Sequence, residues 1–111
     1  MKKHDYLNLN KLVPYSDADF RNVTPEKKKT LKKANAVYEL VKYLHEQNII
    51  SDDQFKIFCL RHGFNTMRLE ATMSEISALL DLHVEVVLSE YTRTINLVRK
   101  NQLLIKIEKG I

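Results

Sequence analysis

With only two glycines and two prolines in 111 residues, this chain has little material for tight β-turns. Two-residue hairpins rely on glycine, or on Asn-Gly and Asp-Gly pairs, to reach positive φ. A mainly α-helical chain is therefore expected. Hydrophobic content of 44% and charged content of 29% belong to a globular protein, and 111 residues hold one core rather than two. No apolar run approaches the roughly 18 residues that span a bilayer, and the opening "MKKHDYLNLN" lacks the apolar segment of a signal peptide. A cytoplasmic chain with no membrane contact is the expectation. The single cysteine, Cys59, excludes an internal disulfide framework and suits a reducing compartment.

Along the chain, residues 1–23 show no sustained period and read as an irregular arm, with one short turn at "SDADF" that Ser16 caps. Residues 24–111 read as a single domain. Thr24 is an N-cap, Pro25 takes the first helical position, and Ala34, Val37, Tyr38, Val41 and Leu44 recur at the helical period. Ser51 with Asp52 and Asp53 opens a second helix that Gly63 stops. A third runs over 72–80 from Thr72, with Met73, Ile76, Leu79 and Leu80 as its apolar face, and a fourth covers 83–101. The ending "LLIKIEKGI" alternates Lys106 and Glu108 between Leu and Ile, so a short C-terminal β-strand is expected.

Charge is unevenly spread. Met1 to Ala34 hold nine basic and four acidic residues, a surplus of five, while the rest of the chain is at −1. From Ala71 onward, five basic side chains are cancelled by five acidic ones. The N-terminal surplus centres on Lys27, Lys28, Lys29, Lys32 and Lys33. Such a cluster is either a solubilising surface or a salt-sensitive contact to phosphates.

The run "ISDDQFKIFCLRHGF" followed by "TMSEISALLDLHVEVVLSEYTRTINLVRK" resembles the fourth region of bacterial sigma factors and the helix-turn-helix regulators related to it. The matching positions are Arg61, His62, Gly63, Thr72, Glu75, Ile76, Leu79, Leu80, Leu82, Val87 and Val98. The ending "VRKNQLLIKIEKG" is similar to winged-helix regulators, where a helix leads into the first wing strand. The resemblance implies a helix-turn-helix bundle of about four helices with a winged-helix-like end. It also implies transcription regulation on double-stranded DNA in a bacterium or mobile element, with RNA polymerase as a further partner. The chain departs from the family in two respects: Asp81 stands at the turn usually held by Gly, and Val84, Val86 and Leu88 occupy sites usually polar or basic.

On a helical wheel of about 100° per residue, Val84, Val87, Leu88, Tyr91, Ile95 and Val98 share one arc, the width of a core-facing stripe. The opposite arc carries Glu85, Ser89, Thr92, Arg93, Asn96, Arg99 and Lys100. Arg and Asn are the side chains that pair best with guanine and adenine edges. Ser89, Thr92, Arg93 and Asn96 are thus the expected groove contacts, with His83 at the start of the helix. Arg99, Lys100 and the Lys27 to Lys33 cluster would hold phosphates, and the alternative for all of them is a solvated face. Val86 and Leu97 lie outside both arcs and fit a dimer or partner contact. A single wing strand needs a partner from the arm or from another subunit, so a homodimer is expected.

No enzyme chemistry is legible. Cys59 sits between Phe58 and Leu60 as a small hydrophobe, and His45, His62 and His83 have no metal-ligand spacing. Gly63 and Gly110 cannot build a phosphate loop. Neither a cofactor nor a metal is expected. The rival to a DNA-binding regulator is a protein-interaction module that keeps the helix-turn-helix packing to bind RNA polymerase or another regulator.

Overall fold

The computed structural model describes residues 11–66 and 68–108, with side chains to Gln102. Residues 1–10 of the arm, including Lys2, Lys3, Asp5 and Tyr6, lie outside the described residues, as do Met67, positions 109–111 and the side chains of Lys106 and Glu108. After a 3-10 turn at Asp17–Phe20 come four helices: α1 Pro25–Glu46, α2 Asp52–Arg61, α3 Met73–Leu80 and α4 Val84–Glu108.

Each of the first three helices is closed at both ends by local chemistry. The Thr24 hydroxyl accepts from Lys27 N at 3.2 Å. Ser51 and Gln54 exchange bonds of 3.1 and 2.8 Å in a capping box, and Thr72 and Glu75 do so at 3.1 Å each. At the C-terminal ends a left-handed residue reverses the chain, and the N–H after it reaches back five positions. Asn48 (φ 59) serves α1 with Ile49 N to Leu44 O at 2.8 Å. Gly63 (φ 73) serves α2 with Phe64 N to Cys59 O at 2.9 Å, and Asp81 (φ 53) serves α3 with Leu82 N to Ser77 O at 3.1 Å. One glycine suffices for three such stops because Asn and Asp tolerate the left-handed region better than other side chains.

The C-terminal β-strand is not formed: α4 runs on through this segment to Glu108, and no strand occurs among the described residues. An isolated strand would leave its backbone donors and acceptors without partners, whereas a continuing helix satisfies each from within. Alternation over so few residues does not separate a strand from a helix.

α2 is the central element. Its Ile57, Phe58, Cys59 and Leu60 are all buried, so the helix is covered on every side over this turn. Phe58 and Cys59 join Tyr38, Val41 and Leu44 of α1, Phe64 and Val98 in one cluster. Ile57 and Leu60 join Ala71, Ile76 and Val87 in a second, with Tyr91 against both. α2, α3 and α4 pack on one another, and α1 covers the other side of α2 and meets α4.

The segment 12–19 is drawn onto this frame. Tyr38 Oη donates to Leu12 O at 3.0 Å, and Val13 N donates to Phe64 O at 3.1 Å. Asn35 accepts from Tyr15 N at 2.7 Å and donates to Tyr15 O at 2.9 Å. Arg68 completes the attachment from the α2–α3 loop. It bonds Asp19 Oδ2 at 2.9 Å and Val13 O at 2.9 Å, bonds Pro14 O as well, and lies 4.8 Å over the Tyr15 ring.

Candidate nucleic-acid interface

α4 presents the candidate interface, and the turn before it sets its direction. Asp81 takes the left-handed conformation at φ 53, ψ 48, which an acidic residue reaches at modest cost. The Ser77 hydroxyl bonds Leu82 O across the turn. His83 then acts as the N-cap of α4: its carbonyl accepts from Val86 N and Val87 N at 3.0 and 3.1 Å, and its Nδ1 accepts from Glu85 N at 3.3 Å. His83 is exposed, but one ring nitrogen is committed to the helix start.

All the polar and basic side chains expected on the outward face of α4 are exposed: Ser89, Thr92, Arg93, Asn96, Arg99 and Lys100. Two are partly engaged. Thr92 Oγ1 donates to Leu88 O at 2.9 Å, and Arg93 pairs with Glu90 at 3.3 Å. The Arg93 side chain keeps 70% of its surface in water, so this pair is weak and releasable. Arg99 and Lys100 make no ion pair among the described residues. Lys27, Lys28, Lys29, Lys32 and Lys33 are exposed on α1. Leu31 between them faces the interior.

The buried stripe of α4 is displaced from the wheel expectation. Val87, Thr94 and Val98 are buried and Tyr91 and Ile95 half-buried, whereas Val84 and Leu88 are 39% and 54% exposed. α2 and α3 both pack on the Val87 side, so the Val84–Leu88 edge has no cover among the described residues. Thr94 enters the core without leaving its hydroxyl unpaired, since Oγ1 donates to Glu90 O at 2.8 Å. Val86 is 44% exposed, and Leu97 is half-buried against the first core cluster. The exposed beginning of α4 is therefore apolar at Val84, Val86 and Leu88 and acidic at Glu85. Its cations stand further along, at Arg93, Arg99 and Lys100.

A second feature has no counterpart in the sequence reading. His62 Nε2 and Tyr91 Oη lie 2.8 Å apart, with the imidazole tilted against the Phe58 ring at a 4.4 Å centroid distance. Burial holds the His62 pKa below its usual value, aided by the Arg61 charge and opposed by Glu70. Burial raises Tyr91, against the influence of Arg61 and Arg99. The pair floors a cleft of about 540 Å³ between α1, the end of α2 and α4. Arg68 and the His62–Tyr91 pair escape sequence reading because their partners are 29 to 55 positions away.

Cys59 is fully buried, and desolvation pushes its thiol up to about 12, which suits packing and not nucleophilic work. Among the described residues no group of His, Cys, Asp and Glu is arranged to hold a metal ion. No helix among them is long and apolar enough to cross a membrane. No protein-family model, curated protein or solved structure matches the chain.

Proposed function

We propose that this chain is a small DNA-binding transcriptional regulator of the helix-turn-helix type, acting in the cytoplasm, with α3 as the supporting helix and α4 as the reading helix. The observation that carries the reading is the passage from α3 to α4. A capped eight-residue helix, a left-handed Asp81 and a second helix packed on the first leave Ser89, Thr92, Arg93 and Asn96 on an open face. Groove contacts fall to these four and to the free edge of His83. Arg99, Lys100 and the α1 lysines serve phosphates, which position the protein without reading sequence. Paired half-sites give a homodimer a functional reason.

The test is fluorescence anisotropy with a random duplex and a duplex from upstream of the protein's own gene, each at two salt concentrations. Tighter, salt-dependent binding to the upstream duplex is expected. Changing Lys32 and Lys33 to Gln lowers the log–log salt slope by about 2. Arg93→Ala with Asn96→Ala costs about 1–3 kcal/mol per base contact and relaxes sequence preference. Unchanged affinity in that double variant refutes α4 as the reader.

A second reading rests on a specific observation. Val84, Val86 and Leu88 are exposed at the beginning of α4, where a reading helix ordinarily meets bases, and valine and leucine offer bases no hydrogen bond. A protein-interaction module binding RNA polymerase or another regulator uses such a surface directly. Loss of polymerase pull-down by Val86→Asp and Leu88→Asp, with DNA affinity intact, selects this reading.

A further inference from the structure

The cleft above the His62–Tyr91 pair has the size and lining of a small-molecule site. Its volume, about 540 Å³, falls within the range of about 300–1,000 Å³ over which ligand pockets occur. Its exposed aromatic walls are the half-buried rings of Tyr15, His62 and Tyr91, backed by the core rings of Phe58 and Phe64. Such walls favour a flat aromatic occupant, which stacks or meets ring edges at little entropic cost.

The charges at the cleft narrow the choice. Glu70 and Arg99 both line it, and neither has an ion-pair or hydrogen-bond partner among the described residues. Glu70 is on the His62 side, its Cγ standing 3.4 Å from where a Cβ on Gly63 would be. Arg99 comes from α4, eight residues or about 12 Å of helix beyond Tyr91. One anion and one cation over an aromatic slot complement a ligand that carries a ring, an ammonium and a carboxylate. We propose that this cleft binds a small aromatic zwitterion of the aromatic amino-acid class, with Glu70 taking the ammonium, Arg99 the carboxylate and the ring lying against the half-buried rings of Tyr15, His62 and Tyr91. The inference shares Arg99 with the phosphate contacts of the DNA reading but does not depend on that reading, since the groove contacts Ser89, Arg93 and Asn96 do not line the cleft.

The experiment is an amide NMR titration of the full ¹⁵N-labelled chain with three probes that share one ring system: L-tryptophan, tryptamine, which lacks the carboxylate, and indole-3-propionate, which lacks the ammonium. L-Tryptophan is expected to give saturable shifts at His62, Tyr91 and their neighbours, and to bind more tightly than either truncated probe. Glu70→Gln weakens L-tryptophan and tryptamine about five- to tenfold and leaves indole-3-propionate unchanged; Arg99→Gln does the reverse for the two truncated probes. Both positions are exposed, and the unshifted remainder of each spectrum reports that the variant is folded. Absence of saturable shifts from all three probes up to about 5 mM overturns the proposal. So does equal binding of the three with no response to either variant, which would mark an unselective apolar cleft.

Discussion

Replacing Arg68 with alanine tests how much of the attachment of the N-terminal segment one guanidinium carries. In the folded chain this group donates to both Asp19 oxygens, at 2.9 and 3.3 Å, and to Val13 O at 2.9 Å, with Pro14 O as a further acceptor. The two side chains of the ion pair are 23% and 25% exposed, so solvent screens them only in part. Hydrogen bonds to charged groups contribute about 1.5–3 kcal/mol each when desolvated, fully exposed ion pairs about 0–1, and a cation over a ring about 0.5–1. These contributions are not additive, because the freed carbonyls of Val13 and Pro14 regain water, and a loss of about 2–3 kcal/mol is expected for Arg68→Ala. Arg68 also has φ 53. Glycine relieves that backbone, so Arg68→Gly is expected to lose about 1 kcal/mol less than Arg68→Ala.

The pH dependence gives an independent check. Hydrogen bonding from Arg68 holds the Asp19 carboxyl below its usual value. A folded-state pKa below the unfolded one contributes stability that is complete above about pH 4 and is lost as pH falls through the lowered value. Urea unfolding followed by far-UV circular dichroism at pH 7 and pH 3 should therefore show the gap between wild type and Arg68→Ala narrowing in acid. A gap under about 0.5 kcal/mol at pH 7, or one that is unchanged at pH 3, refutes the clamp.

Three further outcomes follow from burial and backbone geometry. The folded His62 pKa lies below that of the unfolded chain, so its contribution is complete above about pH 6.5 and is lost as pH falls through the lowered value; melting temperature between pH 5 and 8 should lose part of its acid-side decline in His62→Gln, and an unaltered profile contradicts this. Gly63→Ala places a Cβ at φ 73 and 3.4 Å from Glu70 Cγ. A loss of about 1–2 kcal/mol in urea unfolding is expected, and a neutral result would show that the α2 stop does not need glycine. Cys59, its thiol pushed up to about 12, should react with Ellman's reagent at pH 8 only as the chain opens, and rapid stoichiometric labelling of the native protein would contradict its burial.

The helix starts were legible because caps act over three residues: Thr24, Ser51 and Thr72 can be read as N-caps and make those bonds. Gly63 and Asp81 were legible as stops for the same reason, while Asn48, which ends α1 in the same geometry, carries no sequence signal as strong as glycine. The C-terminal strand was misread because a short alternating run fits either structure, and only pairing decides. On α4 the wheel identified the polar face, and Ser89, Arg93 and Asn96 are exposed on it, but it could not rank Val84 and Leu88 against Val87. That ranking depends on where α2 and α3 lie.

The sequence by itself determined that the chain is helical, where most helices begin and end, and which residues of α4 are polar outward, because these depend on bonds and periods within a few residues. Tertiary structure alone decided the rest. It placed the Val84–Leu88 edge in solvent, tied Val13 and Asp19 to Arg68, and joined His62 to Tyr91 beneath the aromatic cleft. These contacts link positions 29 to 55 apart, and the packing of α1, α3 and α4 around α2 brings them together.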